Sequence, residues 1–302
     1  MNKKLKIYTA LAALISYFLS FAINKNTKAE ISSDNINIVL DSLSHNNILP
    51  KRFRKTTDLL VLNKNNSLNL KGLDRLNISA SKQFSEYNLP SLIKAIDTSL
   101  PITIVDLRQE SHGFINGLAV SWNNFKNNVN KGLTREEVLQ DESNKLNSLK
   151  LNADINFHNN HKKTIMIIKV QDENELVKSK YISYNRITVK DGGIPSDDMV
   201  DYFMDFLKSQ KQNLWLHFHC KAGVGRTTTF MIMYDMIKNY KEVSADDIIN
   251  RQLILAKFDD EGIKSFKSKR RSDFFNKFYY YCKTNGPSFR IKWSKWKVEE
   301  RT

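Results

Sequence analysis

Only two cysteines occur in the 302 residues, Cys220 and Cys282. A scaffold stapled by several disulfides is therefore excluded. Histidine is scarce as well, with six scattered along the chain. His158 and His161 are spaced i, i+3, but their stretch is rich in Asn, His and Lys and has no cysteine or clear carboxylate partner. No metal site is expected. Acidic residues are missing before Glu30, and charge of either sign is missing from Ile7 to Ile23. Lys3, Lys4 and Lys6 precede that apolar run, and Ser20-Phe21-Ala22 and Thr27-Lys28-Ala29 offer small residues for cleavage. Residues 1–29 thus read as an export signal or, uncleaved, an N-terminal anchor, which would be the chain's one link to a membrane. Export from a bacterial cell is the expected localisation.

The formal charge is +15, and setting aside the five lysines of residues 1–29 leaves +10. A basic surface steers densely phosphorylated molecules inward. It would equally attract nucleic acid or an anionic membrane, and a chain rich in Asn, Ile and Lys acquires such charge from base composition alone. Charge therefore decides little. With 41% hydrophobic and 26% charged residues, the chain can bury a core.

Residues 219–229 carry most of the chemistry: His-Cys-Lys-Ala-Gly-Val-Gly-Arg-Thr-Thr-Thr. Cys220 and Arg226 bracket Lys221, Ala222, Gly223, Val224 and Gly225. The preceding residues 214–218 are β-prone, with apolar residues at alternate positions. After the loop, Phe230, Met231, Tyr234 and Ile237 suit a helix buried on one side. A loop between a strand end and a helix start presents orphan N–H groups and the positive end of a helix dipole. Anions bind there. The same field lowers a thiol pKa to roughly 3.5–7.5 and supplies a nucleophile at neutral pH. Arg226 offers a planar fork of donors matched to two phosphate oxygens. Gly223 and Gly225 let successive amides point inward. His219 is placed to fix the cysteine's backbone, and Thr227 to donate to the departing sulfur. A buried structural cysteine in a glycine turn is the bland alternative, and the full run on a strand–loop–helix pattern argues against it.

This run resembles the His-Cys-x5-Arg-Ser/Thr signature of the cysteine-dependent phosphatases of the protein tyrosine phosphatase superfamily. It is more closely similar to the bacterial tyrosine-phosphatase-like inositol phosphatases, the cysteine phytases. Residues 105–113, 186–191 and 215–251 share that likeness, which spans about residues 50 to 296. The resemblance implies a tyrosine-phosphatase-like α/β fold, with a central, mostly parallel twisted sheet flanked by helices and room for a small accessory subdomain. It also implies phosphomonoester hydrolysis through a phosphocysteine, with no cofactor. Asp191-Gly192-Gly193-Ile194-Pro195 lies where that branch has Asp-His-x-Trp-Pro, which makes Asp191 the general acid. Gly192 and Ile194 depart from the pattern, and the paired glycines should loosen the loop. A turn residue before Gly-Gly is the plain alternative for Asp191. Lys221 stands where the branch often has glutamate, and a lysine at the rim would favour extra phosphates. Arg54 matches a substrate-contacting arginine of the family. Asp106 and Arg108 belong near the pocket rim by the same likeness, with Glu110 and His112 close behind. A structural ion pair is the rival reading for Asp106 and Arg108. Lys190 and the cluster Lys267 to Arg271 are further candidates for outer phosphates.

The chain divides into residues 1–29, a polar arm at 30–49 and a phosphatase-like domain at 50–302. Pro101 to Asp106 reads as a buried strand, followed by a polar loop through Gly117. Thr134 opens a helix with a capping box, and residues 151–163 read as a loop. Residues 164–170 and 180–189 are extended, and Ser196 and Ser244 head two further helices. Strands alternating with helices argue for a largely parallel sheet. The expected partner is a small anionic phosphorylated substrate, with phytate-like inositols favoured and phosphotyrosine or a phosphoinositide lipid as alternatives. A catalytically dead phosphate-binding surface protein is a different class, which the presence of both Cys220 and Arg226 disfavours. Nucleic acid is not expected: Arg290 to Lys297 interleaves cations and aromatics, but its tryptophans suit core packing better than base stacking.

Overall fold

The computed structural model describes residues 36–42, 46–62, 68–124, 128–210 and 213–300. The export signal read at residues 1–29 lies outside them, as does the first part of the polar arm. Among the described residues, no helix is long and apolar enough to cross a membrane.

β11 (Trp215–Cys220) is central because its two faces both find apolar cover. Leu216 and Phe218 pack into the larger core with Phe203 and Phe230, while Trp215 turns to the opposite side with Phe84 and Ile104. Alternation along a strand produces this division, and each fully buried side chain contributes about 1.5–3 kcal/mol. On one flank β11 pairs in parallel with β4 (Ile102–Arg108), which pairs in turn with β10 (Ser183–Val189). On the other it pairs in parallel with β3 (Ile78–Lys82), and a short β2 (Arg54–Lys55) closes that edge antiparallel. The order is β10-β4-β11-β3-β2, the α/β sheet that the alternation of elements implies. All four parallel strands end on one side, where such sheets place their sites.

The helix Gly225–Asn239 follows directly from the loop. It is buried almost all round, not on one side. The helices Ala245–Leu255 and Lys269–Asn285 pack onto the surface expected to face water. Burying that surface required pairing its polar groups: Asp235 accepts from Arg251 Nε at 2.8 Å, from Gln252 at 2.8 Å and from Asn239 at 2.8 Å. Trp293 and Trp296 stack at 5.5 Å and are buried against Tyr281 and Phe278. The tryptophans of the basic, aromatic C-terminal stretch are thus core, while Arg290, Lys292 and Lys295 stay exposed.

A second, antiparallel sheet has the order β1-β6-β5-β9, from β1 (Asn37–Ser42), β5 (His112–Ile115), β6 (Leu118–Asn123) and β9 (Val170–Gln171). The hairpin of β7 (Asp154–Phe157) and β8 (Asn160–Met166) accompanies it. Three expectations are corrected here. Part of the polar arm is a strand, because Leu40 buries beside Ile115, Leu118 and Val120 while Val39 is buried on the strand's other face. The polar loop after β4 is a tight hairpin, turning at Asn116 and Gly117 with positive φ. The Asn-rich stretch 151–163 pairs as strands around buried Phe157. In each case the apolar signal is only two to four residues long and sits among polar neighbours.

Candidate active site

Cys220 is the last residue of β11 and Gly225 the first of the long helix, so the loop spans only residues 221–224. So tight a reversal needs Gly223 in the left-handed region, at φ +71°, and a Cβ there would lie 2.5 Å from the Lys82 nitrogen. No other residue fits. Arg54 braces the loop, donating from Nη1 to Gly223 O at 3.0 Å and from Nη2 to Thr228 Oγ1 at 3.1 Å. Its burial lowers its pKa to about 10, opposed by the charge of Cys220. The arginine expected to touch substrate is therefore tied to the loop carbonyl, and it also lines the cavity beside the loop. The exposed Arg52 instead reaches the rim at Ala222 O, at 3.4 Å.

The Cys220 thiol is held below its ordinary value. Burial pushes it up, but the Arg226 guanidinium, the Thr227 hydroxyl at 3.1 Å and the N–H groups of Thr227 and Gly223 together outweigh burial. These donors stabilise a thiolate. Arg226 is buried and gripped in bidentate fashion by Glu110, Nη1 to Oε2 at 2.6 Å and Nη2 to Oε1 at 2.9 Å. Its Nη1 also donates to Val189 O at 3.1 Å, which fixes the plane of the fork. Asp191 Oδ1 stands 3.0 Å from Arg226 Nη2, so the loop after β10 brings this carboxylate to the anion-binding group. Gly192 has φ +68° and open space around it, and Arg271 Nη2 donates to its carbonyl at 3.3 Å. Lys190 is exposed beside Asp191.

Asp106 and Arg108, expected at the pocket rim, are wholly buried instead. The small sheet covers the end of β4 and turns both side chains into ion pairs. Asp106 meets His112 Nε2 at 3.1 Å, Arg186 Nε at 3.1 Å and the Tyr184 hydroxyl at 2.8 Å. Arg108 donates to Asp41 at 2.8 Å, Glu110 at 2.9 Å and Gln83 at 2.7 Å. His219 does not brace the Cys220 backbone. Adjacent strand residues face opposite ways, so its Nε2 lies 2.6 Å from Glu173 Oε1. Gln83 N–H binds Cys220 O instead, at 3.0 Å. Asp106, Glu173 and His219 have ligand atoms within 4.8 Å of one another. Arg186 and His112 already neutralise that cluster: burial and Arg108 oppose a proton on His112, yet Asp106 and Glu142 raise its pKa to about 9.

Sequence reasoning missed the partner of Arg226, although Glu110 was within view two residues after Arg108. It also missed Asp41, which lies 3.1 Å from Lys221 Nζ. No local signal pointed to Asp41, one of three acids in the arm at 30–49 and far from the loop in sequence.

A family profile described as tyrosine-phosphatase-like phytase, inositol hexakisphosphate, matches residues 105–238. The tyrosine-phosphatase-like myo-inositol phosphatase of Mitsuokella multacida, solved with myo-inositol-(1,3,4,5)-tetrakisphosphate, superposes with a TM-score of 0.77 at 34% identity. That match covers 88% of this chain and 48% of the other. A tyrosine-phosphatase-like phytase of Bdellovibrio bacteriovorus gives 0.70 at 29% identity, covering 87% and 95%. The chain is similar to the tyrosine-phosphatase-like phytases in both sequence and fold. It is also 30% identical over 266 residues to the effector protein hopD2 of Pseudomonas syringae pv. tomato, covering 82% of this chain. It spans 56% of that relative's length.

Proposed function

We propose that this protein is a cysteine-dependent phosphomonoesterase acting on multiply phosphorylated inositols. The supporting observation is the convergence of a depressed thiol, a bidentately braced Arg226 and the Asp191 carboxylate around one loop of inward N–H groups. The Cys220 thiolate attacks phosphorus in line, forming an S–P bond as the ester P–O bond breaks. Arg226 and the loop amides hold the equatorial oxygens, where charge concentrates in the transition state. Asp191 gives its proton to the leaving alkoxide, then takes one from the water that attacks the phosphocysteine. The Thr227 hydroxyl stabilises the sulfur as it leaves. Lys221, Arg52 and Lys190 supply cationic charge around the loop, which suits neighbouring phosphates on one ring.

A cavity of about 820 Å³ adjoins the loop at Gly223 and Val224 and favours a second substrate reading. Phe53, Ile254 and Phe258 wall it, together with Arg52 and Lys257. Apolar walls suit the ring of phosphotyrosine or the body of a phosphoinositide better than a bare inositol phosphate. The deciding experiment is phosphate release from phytate and from a phosphotyrosine peptide, with wild type and Cys220→Ser. Release from phytate alone, abolished in the variant, supports the first reading. Release undiminished in Cys220→Ser would remove the mechanism.

A further inference from the structure

We propose that Asp41, on β1 of the small sheet, is a positioning residue that ties both ends of the anion loop together and fixes Lys221 for substrate. The inference rests on reading Cys220 and Arg226 as the phosphate-transfer pair.

Asp41 is 4% exposed, yet it holds its charge among three partners. Oδ2 accepts from Arg108 Nη2 at 2.8 Å, Oδ1 accepts from Ser121 Oγ at 3.0 Å, and Oδ1 lies 3.1 Å from Lys221 Nζ. Lys221 also donates to Ser121 Oγ at 3.3 Å, so the carboxylate, hydroxyl and ammonium form a closed triangle. From Asp41 the ion pairs continue. Arg108 Nε donates to Glu110 Oε1 at 2.9 Å, and Glu110 grips Arg226. Charge thus alternates without a break along Lys221–Asp41–Arg108–Glu110–Arg226. The path leaves the loop one residue after the nucleophile and returns at its arginine.

This arrangement answers a peculiarity of the sequence. A glutamate after the nucleophile would bring a second carboxylate towards the buried Asp41, where like charges disfavour each other. Lysine at 221 and aspartate at 41 are complementary. An exposed lysine samples many rotamers and loses that freedom when it binds. Lys221 has only 26% of its side chain exposed and is already held. A ligand phosphate therefore meets a fixed ammonium on one side and a fixed guanidinium on the other. β1 is needed for the site although it contributes no strand to the central sheet.

The test uses wild type, Asp41→Asn, Lys221→Gln, Ser121→Ala, the Asp41→Asn/Lys221→Gln double variant and the Ser121→Ala/Lys221→Gln double variant, all in the full chain. The probe is inorganic phosphate, read as protection of Cys220 from iodoacetate, alongside kcat and KM on phytate and a thermal melt. Asp41→Asn and Lys221→Gln should each weaken phosphate binding about tenfold, and their double variant should be no weaker than the worse single, as coupled residues require. Ser121→Ala should weaken phosphate binding about threefold while the variant still melts cooperatively, and should have no effect on phosphate binding once Lys221 is glutamine. Losses that multiply, or a folded Asp41→Asn that binds phosphate within twofold of wild type, overturn the proposal. Should Asp41→Asn not fold, the Ser121→Ala and Lys221→Gln pair decides by the same criterion of coupling. Phosphate protection needs no turnover. Wild type protected by phosphate but insensitive to these changes sinks only the role of Asp41, whereas unprotected wild type removes the reading of the site with it.

Discussion

Cys220 and Cys282 are both shut away from solvent, at 2% and 0% exposed, yet their thiols are displaced in opposite directions. Burial pushes Cys282 far up, with nothing to oppose it, on the helix Lys269–Asn285 within the larger apolar core. Burial pushes Cys220 up as well, but a guanidinium, a hydroxyl and two amides reverse the sign. Depth is the same; donors make the difference. A reactive cysteine here is one whose surroundings were built from groups that prefer an anion, and those groups would bind a phosphate oxygen just as they bind sulfur.

The largest effect should come from the group that contributes most to that contrast. Arg226→Lys keeps a positive charge but loses the planar fork that Glu110 holds in two places, so kcat should fall about a thousandfold. Steady-state kinetics on phytate would check this, and a loss below tenfold would mean that charge alone suffices. Asp191→Asn should lower kcat about a hundredfold by removing the proton donor. The same change removes the carboxylate 3.0 Å from Arg226. Inorganic phosphate should therefore inhibit the variant at least as tightly as wild type, and weaker inhibition would show that Asp191 serves binding instead.

Thr227→Ala sharpens the comparison by making Cys220 more like Cys282. It removes the hydroxyl 3.1 Å from the sulfur and leaves the amides and Arg226 in place. A hydrogen bond to a charged group contributes about 1.5–3 kcal/mol, roughly one to two pKa units. The thiolate needs a pH above the thiol's pKa, so losing a donor moves the acid limb of kcat/KM, and of iodoacetate alkylation, to higher pH. An acid limb that stays in place would assign the depression to Arg226 and the amides alone.

The sequence made the strand, loop and helix around Cys220 legible because all three are local. Leu214 to Phe218 alternates, the glycines mark the reversal, and Cys220 and Arg226 are only six positions apart. Thr134 announced its helix for the same reason, since a capping box is complete within four residues. What surrounds the loop was illegible because it is assembled from distant segments. Glu110 reaches Arg226 from the turn between β4 and β5, Asp41 reaches Lys221 from the small sheet, and Glu173 reaches His219 from a short helix. Asp106 and Arg108 looked like pocket residues because buried and exposed charges are written with the same letters. Only the cover provided by β1, β5 and β6 shows that they support the site from within. Arg54, singled out by its match to a substrate-contacting arginine of the family, also braces the loop's own carbonyl, a partner 169 residues away.

The smallest effect belongs to the other thiol. Cys282→Ala removes one sulfur from an apolar cluster and should cost about 1 kcal/mol of stability, as small core truncations do. Phosphate release should stay at the wild-type level, because nothing around Cys282 favours an anion and the cysteines form no bond to each other. Mass spectrometry after brief iodoacetate treatment of the native protein at neutral pH provides the check. Modification should map to Cys220 alone, with Cys282 labelled only after unfolding. Equal labelling of both in the folded protein would mean that access, not the arrangement of donors, separates the two thiols, and the contrast between their surroundings would lose its force.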